Sequence, residues 1–455
     1  MTVLARILTP DDFGLIAILL IFTSIGTLLV DSGFGSALIQ KQQTTEDDET
    51  TVFIIVISIS FIVATALALS APFIASFFNE PKLTALTRVM SVVLPLGALA
   101  AVPDALLTMK LNFKVRAHAE IIASLCSGGV AIMLALRGAG VWSLACQGIL
   151  SIGIRGLLLW LYSGWRPRGR YRNTSFSNLF GFGGYMLLSG LLNAVAIRFQ
   201  SLLIGKLFDP SALGFYTIAQ NTQQAPASLI DSILKRVGLP IFSTIAQDKA
   251  KLLSIFRSSL RMAMFLFVPC MIGIAVIAKP LLISLYGPRW APAAPILSIL
   301  SLSTALWPIH VLNLAVIGAQ GRSKLLLRIE VIKQFIGIAL VTVAAHWGPS
   351  AIACAVLVSS FSSVIINAHY SKRLFGYGAL AQILDQKATL ALSIVATAVG
   401  WLALHWMHPG LLPMLGSIAA AAGVYCSLAF VTRNSALTDL LLVARSLHVK
   451  SDTTA

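Results

Sequence analysis

The chain has 455 residues, of which 57% are hydrophobic and 11% are charged, and its mean hydropathy is +0.87. A soluble globular protein carries about 25% charged residues, so this composition excludes a soluble fold. The net charge of +16 does not indicate nucleic-acid binding, because membrane proteins concentrate Lys and Arg in cytoplasmic loops, where these residues set the orientation of the chain. The sequence predicts an all-α polytopic membrane protein with no nucleic-acid partner.

Apolar runs of about 20 residues recur along the whole chain, and each is long enough to cross a bilayer as a helix. The connections between them are short and polar, and none is large enough to fold as a soluble domain. In chain order, we predict spans at 13–39, 51–78, 84–107, 116–136, 141–164, 178–205, 211–234, 255–278, 292–318, 325–346, 349–369, 388–406 and 411–431.

The basic residues of the connections are distributed unequally between the two sides of the membrane. When the loops are assigned to alternate sides, more than twice as many Lys and Arg fall on one side as on the other. The richer side is expected to be cytoplasmic. It includes the segment after Val431, so the C-terminus is predicted to be cytoplasmic.

A short motif occurs twice. LTPDDFG, with Pro10 and Gly14, returns 200 residues later as FDPSALG, with Pro210 and Gly214. A weaker similarity, at an offset of 210, relates the segments that begin AEIIASL and IEVIKQF. Two similarities with nearly the same offset indicate two halves of similar build.

The second half contains an even number of predicted spans, so both halves insert in the same sense. This is typical of parallel repeats that surround a central cavity in transporters. We therefore predict two six-helix lobes and an extra C-terminal helix pair. The predicted divisions are an N-terminal lobe at 1–165, a basic cytoplasmic linker at 166–177, a C-terminal lobe at 178–370, and the helix pair with a tail at 371–455.

The repeat also predicts that the first helix is incomplete. A full predicted span, 178–205, precedes FDPSALG, whereas only Met1 to Ile7 precede LTPDDFG. Seven residues extend roughly 10 Å as a helix, far short of a hydrocarbon core of about 30 Å. We expect an upstream in-frame extension of at least about 20 mostly apolar codons, the length set by the repeat.

Four charged residues stand out inside predicted spans: Arg198, Asp31, Arg155 and Asp231. A charge at the bilayer centre costs at least about 2.5 kcal/mol, so such residues usually face protein or water. Each either pairs with another helix or reaches an interface, or else contacts a transported substrate. Among them, Arg198 and Asp31 are predicted to contact the substrate.

The run AQNTQQAP places five consecutive polar residues, 220–224, in the middle of an apolar span, followed by Pro226. Five such residues cover every face of a helical turn and cannot all face lipid. They either line a wet cavity or bond across helices. From the cavity interpretation we predict substrate contacts by Gln220, Asn221 and Gln224.

Signatures of catalysis are missing from the sequence. It contains no Walker loop, no CxxC motif and no Cys/His cluster. His405 and His408 are spaced so that they could bind a metal, but we interpret them as an interfacial pair near Trp406. We predict a protein that is not an enzyme, with no catalytic residues, no metal ligands and no cofactor.

Several segments carry a family resemblance. VLARILTPDDFGLIAI, LLVDSGFGSALIQKQQTTEDD, GVWSLACQ and LLIGKLFDPSALGFYTIA resemble the polysaccharide exporters of the multidrug/oligosaccharidyl-lipid/polysaccharide flippase superfamily. The Wzx-type lipopolysaccharide and exopolysaccharide proteins look most similar. The resemblance covers nearly the whole chain, with the strongest motifs in the first 220 residues.

The resemblance implies a function. Such proteins move an undecaprenyl-diphosphate-linked oligosaccharide from the cytoplasmic to the outer leaflet of the bacterial inner membrane, and cavity cations are thought to meet the diphosphate. Arg198 matches a basic position that commonly precedes the LLIG motif, whereas Gln200 stands where the family often has an acidic residue. The implied partners are the lipid-linked oligosaccharide, membrane lipids, and polysaccharide polymerase and glycosyltransferases.

Two other functions stay open on the sequence alone. A cation-coupled drug exporter of the same superfamily would need acidic residues in its cavity, and Asp31 and Asp231 are the candidates. A membrane scaffold of a glycan-assembly complex, which transports nothing, is the second alternative.

Overall fold

The computed structural model describes residues 2–31, 33–41, 44–245, 248–406 and 410–440. Within these ranges the secondary structure is helical, and no strand occurs there. The chain forms two compact units, Met1–Gly214 and Phe215–Ala455, which are described separately below as unit 1 and unit 2.

Among its described residues, unit 1 contains nine helices and the start of a tenth. Two of its predicted spans are built from two helices each, α2 with α3 and α5 with α6. The helices are α1 (Thr2–Ile7), α2 (Pro10–Asp31), α3 (Phe34–Lys41), α4 (Glu46–Phe78), α5 (Lys82–Met90), α6 (Val93–Met109), α7 (Phe113–Leu136), α8 (Val141–Ser163), α9 (Asn173–Leu207) and α10 (Pro210–Thr244).

Unit 2 contains most of α10 and, among its described residues, the helices that follow it. Two short 3-10 segments, Pro288–Ala293 and Ala345–Trp347, join helices within it. The helices are α11 (Lys249–Val276), α12 (Ala278–Tyr286), α13 (Ala294–Thr304), α14 (Trp307–Ala319), α15 (Ser323–Ala344), α16 (Pro349–Phe375), α17 (Ala379–Leu384), α18 (Lys387–Trp406) and α19 (Leu411–Val431).

Each predicted span coincides with helical structure. Among the described residues, ten segments are long and apolar enough to cross a membrane, which confirms a multi-pass membrane protein. The three other predicted spans correspond to α9, α10 and α15. The polar run lowers the hydropathy of α10, and α15 carries Lys324, Arg328, Glu330 and Lys333 in its first half.

The outward surface of α4 shows why the fold needs a membrane. Phe61, Ile62, Leu69 and Phe73 are 59%, 68%, 71% and 76% exposed. Large apolar side chains at this exposure would be unfavourable in water and are suited to contact with lipid tails.

The start of α4 is fixed by local chemistry. Thr45 accepts a hydrogen bond from the main-chain N–H of Asp48, while the Asp48 carboxylate accepts one from the N–H of Thr45. This capping box satisfies two N–H groups that a helix start leaves unpaired. The acidic residues of the first turn also interact favourably with the positive end of the helix dipole.

Some predicted spans are interrupted, whereas the helix that contains Pro226 is continuous. The first span breaks between Asp31 and Phe34, where Gly33 adopts a positive φ of 71°. By contrast, α10 continues through Pro226 and ends at Thr244, ten residues beyond the predicted end.

Packing within each unit sets the neighbours of the candidate residues. In unit 1, α9 packs against α2, α3 and α4, and α8 packs against α6 and α7. In unit 2, α16 packs against α13 and α15, α18 packs against α11, and Tyr425 of α19 donates a hydrogen bond to the carbonyl of Phe265 on α11.

Candidate functional site

Arg198 lies on α9, nine residues before the helix ends at Leu207. At 1.5 Å per residue, this places it about 14 Å from that end. Its side chain is partly buried, and among the described residues it has no hydrogen-bond or ion-pair partner. An uncompensated cation at this depth is costly and marks a candidate anion site.

Arg155 differs from Arg198, because it is fully paired. Its Nη2 lies 3.1 Å from Oδ2 of Asp104, and its Nε lies 2.9 Å from Oε2 of Glu120. Arg116 adds a second cation, with Nε 2.7 Å from Oδ1 of Asp104. The four charges balance and connect α6, α7 and α8. For Arg155, the structure therefore supports the interhelical-pair interpretation.

Asp104 is a residue that sequence reasoning missed. It is the acidic centre of this network, since both arginines bond to its carboxylate. The available signal was an acidic side chain directly after Pro103, within a predicted span.

The structure describes the side chain of only one of the two acidic residues that we predicted inside spans, Asp31 and Asp231. Asp31 ends α2, is partly buried, and accepts a hydrogen bond from the main-chain N–H of Gly35. It therefore holds the start of α3, and no ion pair joins it to Arg198. Its contact with substrate stays a prediction. The side chain of Asp231 lies outside the described residues.

Two residues of the polar run bond across helices inside unit 2. The hydroxyl of Thr222 lies 3.0 Å from the hydroxyl of Tyr286 and donates to the carbonyl of Ile218 at 2.7 Å. Gln223 is 8% exposed, and its Nε2 donates to Oγ1 of Thr304 at 2.7 Å. These two polar side chains therefore attach α10 to α12 and α13.

The remaining residues of the run, Gln220, Asn221 and Gln224, lie on one side of α10. Gln224 follows Asn221 by three positions and Gln220 by four, which puts all three on neighbouring turns of the same face. Asn221 and Gln224 are exposed and Gln220 is partly buried. Within the described part of the chain their amides make no hydrogen bond. We call these three residues the amide face.

Unit 2 also contains a buried polar network that the sequence did not reveal. The amide of Asn313 donates to Oε1 of Gln382 at 2.9 Å, and Nε2 of Gln382 donates back to Oδ1 of Asn313 at 3.1 Å. Ser371 donates to the same Oδ1. All three residues are 0% exposed. Because these bonds are reciprocal, the network attaches α17 to α14 and α16 and leaves little capacity for a ligand.

A comparison with models of protein families shows which family this chain belongs to. A family model described as "Polysaccharide biosynthesis protein" matches residues 3–295. The chain belongs to this polysaccharide biosynthesis family. The resemblance to Wzx-type exporters that the motifs indicated is thereby confirmed.

Bacterial proteins of known name match this chain over long stretches. The succinoglycan biosynthesis transport protein ExoT of Rhizobium meliloti is 25% identical over 454 residues, which cover 98% of this chain and 91% of the relative. The lipopolysaccharide biosynthesis protein WzxC of Escherichia coli is 26% identical over 352 residues, covering 75% of this chain and 70% of that protein.

Solved structures of low identity share the fold. The lipid II flippase MurJ in an inward closed conformation matches with a TM-score of 0.75 and 14% identity, over 95% of each chain. An inward-facing multidrug-resistance MATE transporter matches with a TM-score of 0.65 and 16% identity, over 82% of this chain and 92% of that one. This member of the polysaccharide biosynthesis family therefore has the fold of the MurJ and MATE transporters.

Proposed function

We propose that this protein flips an undecaprenyl-diphosphate-linked oligosaccharide repeat unit from the cytoplasmic to the outer leaflet of the bacterial inner membrane, for surface polysaccharide biosynthesis. Family membership and the named activities of the relatives support a transporter of polysaccharide precursors. The single observation that carries the proposal is Arg198, an unpaired and partly buried cation inside a membrane helix.

The difficult step of this reaction is the passage of the polar head group through the membrane. Sugars and a diphosphate cannot cross the hydrocarbon core unaided, because they would lose their hydrogen bonds to water. A polar interior that is open sideways to lipid lets the head group pass while the polyprenyl tail stays in the bilayer. The guanidinium of Arg198 would hold the diphosphate through paired charge-assisted hydrogen bonds.

The amide face suits the sugar part of such a substrate. Each amide of Gln220, Asn221 and Gln224 offers both donors and an acceptor, which match the mixed character of sugar hydroxyls. Amides also carry no charge, so they bind neutral and charged sugars without a large electrostatic cost. In this proposal Asp31 contributes by holding α3 and contacts the substrate only when its bond to Gly35 opens.

The orientation of the proposed reaction follows from the basic loops. Lys and Arg are concentrated on the side that includes the C-terminus, which we infer to be cytoplasmic. Glycosyltransferases would then load the substrate on that side and a polymerase would consume it on the other.

Drug export is less well supported. A site for cationic drugs needs an available carboxylate, but among the described side chains Asp104 is paired with two arginines and Asp31 accepts a hydrogen bond from the main-chain N–H of Gly35. These observations favour an anionic over a cationic cargo.

A deletion strain tests the proposed function. We expect surface polysaccharide to disappear and undecaprenyl-linked repeat units to accumulate in the inner membrane, with both reversed by the wild-type gene. Normal polysaccharide with increased drug sensitivity would contradict flipping and favour drug export. Loss of polysaccharide without accumulated repeat units would favour a scaffold required for their synthesis.

A further inference from the structure

The segment between α8 and α9 is held against the start of α4. We call residues 165–172, WRPRGRYR, the strap. The main-chain N–H of Gly169 donates to Oγ1 of Thr50 at 3.0 Å, and that of Arg170 donates to Oδ1 of Asp47 at 2.8 Å. A loop that only connects two helices needs no such bonds.

The end of the strap is held twice more. The N–H of Arg172 donates to Oγ1 of Thr51 at 3.0 Å, and Nε of Arg172 lies 2.6 Å from Oδ2 of Asp47. The acidic first turn of α4 therefore has a second use beyond capping, since it fixes the backbone of a basic segment.

At Gly169 the strap lies directly against the main chain of α4. A Cβ built on Gly169 would lie 2.2 Å from the carbonyl oxygen of Glu46 and 2.6 Å from the nitrogen of Asp47. No side chain fits there without moving the strap or α4. The contact thus offers a way to displace the strap without changing its charge.

Aromatic residues place the start of the strap at the edge of the membrane. The indole N–H of Trp165 donates to Oε2 of Glu49 at 2.6 Å, and its ring lies 5.6 Å from that of Trp160 and 5.4 Å from that of Phe53. The guanidinium of Arg166 lies 5.3 Å from the Trp160 ring. Tryptophan at the end of a membrane helix is typical of the lipid head-group region.

Two arginines of the strap have nothing to bind within the described protein. Arg168 and Arg170 are exposed, and in the described ranges their guanidinium groups make no hydrogen bond or ion pair. The neighbouring Arg172 is neutralised by Asp47. The fixed backbone therefore presents two free planar cations at the level of the head groups.

We propose that the strap is a binding site for the phosphodiester head group of an anionic phospholipid. Topology alone does not explain the strap, because orienting a membrane protein requires basic charge near a span but no fixed conformation. Basic residues directly beside a membrane helix attract anionic lipid, and each contributes roughly a fivefold gain in affinity. Guanidinium groups on a fixed backbone match the phosphodiester geometry. The site does not depend on the cargo proposed above.

Lipid titration of the purified full-length chain in detergent, followed by native mass spectrometry, tests the proposal. The probes are phosphatidylglycerol and, as the zwitterionic reference, phosphatidylethanolamine. We expect preferential binding of phosphatidylglycerol. The double variant R168Q/R170Q should lose about fivefold in affinity per arginine, while R168K/R170K should keep most of the preference.

Gly169→Ala distinguishes a binding site that depends on the fixed conformation of the strap from a general electrostatic attraction between the arginines and anionic lipid. It retains all four arginines but displaces the strap, so phosphatidylglycerol affinity should fall more than twofold. The controls are Gly128→Ala, which meets no atom within 4 Å, and Lys82→Gln, an exposed charge at the opposite ends of the helices. Thermal unfolding of each variant confirms that it is folded.

Three results would overturn the proposal. An unchanged preference of R168Q/R170Q for phosphatidylglycerol over phosphatidylethanolamine would show that Arg168 and Arg170 do not bind the lipid. An unchanged affinity of Gly169→Ala for phosphatidylglycerol would show that the fixed conformation of the strap does not contribute to binding. Displacement of phosphatidylglycerol by an equal concentration of inorganic phosphate would assign the site to free phosphate.

Discussion

Gly14 packs directly against the main chain of Pro210, so closely that a Cβ on Gly14 would lie 1.8 Å from the Pro210 carbonyl oxygen. The relationship is reciprocal, because a Cβ on Gly214 would lie 2.0 Å from the carbonyl oxygen of Pro10. The two copies of the repeated motif thus contact each other within unit 1. Each glycine is needed because the proline of the other copy occupies the space of its side chain.

This contact predicts that both glycines are intolerant of substitution. Gly14→Ala or Gly214→Ala should destabilise the protein by about 1–3 kcal/mol, since a backbone carbonyl must move to accept the methyl group. The measurement is thermal unfolding of the purified protein in detergent. Gly128→Ala, whose Cβ meets nothing within 4 Å, is the matched control. Equal unfolding temperatures for all three variants would contradict the close packing.

Arg198→Ala should reduce transport while leaving insertion and stability intact. Hydrogen bonds to charged groups contribute about 1.5–3 kcal/mol, so apparent affinity for the diphosphate should fall roughly 10-fold to 100-fold. Arg198→Lys should be milder, because it keeps the charge and loses the planar pair of donors. The measurement is complementation of the deletion strain, scored by accumulated lipid-linked repeat units.

The control for Arg198 is Arg88→Ala, an exposed arginine on α5. Arg88→Ala should restore polysaccharide export in the deletion strain to the wild-type level. If Arg198→Ala also restores normal export at wild-type protein abundance, the proposed diphosphate contact is wrong.

The amide face predicts a position-dependent reaction with a water-soluble thiol reagent. In a background that lacks Cys126, Cys146, Cys270, Cys354 and Cys426, single cysteines at 221 and 224 should be labelled. A cysteine at 223 should react far more slowly, because Gln223 is buried against Thr304. The rates are measured in native membranes. Absence of labelling at 221 and 224 would show that this face contacts lipid or protein, and would remove it from the sugar site.

The charge network of unit 1 predicts different effects for its two carboxylates. Asp104→Asn removes the partner shared by Arg116 and Arg155 and should cost about 1–3 kcal/mol of stability. Glu120→Gln should cost less than about 1 kcal/mol, because its side chain is 64% exposed and solvent weakens the pair. Thermal unfolding compares the two, and an equal loss for both would contradict the central role of Asp104.

The positions of the helices could be predicted from the sequence because they depend on local properties. Runs of about 20 apolar residues must become helices in a membrane, where backbone groups have no water to bond. Helix starts such as Thr45–Asp48 are likewise determined within four residues of chain. The prediction for α10 ended ten residues too early, at 234, because the apolar run gives way there to Lys235 and Arg236, whereas the helix continues past the apolar run to Thr244.

The sequence by itself determined that this is a multi-pass helical membrane protein, and its motifs identified the family. It also singled out Arg198 and the polar run, because a charge or five consecutive amide and hydroxyl side chains are conspicuous in an apolar span. Only the tertiary structure decided which of these groups are already bonded. Thr222 meets Tyr286 and Arg155 meets Asp104, whereas Arg198, Asn221 and Gln224 have no such partner among the described residues. The physical reason is that a partner distant in the chain is chosen by helix packing, and helical periodicity specifies a face without specifying the neighbour that covers it.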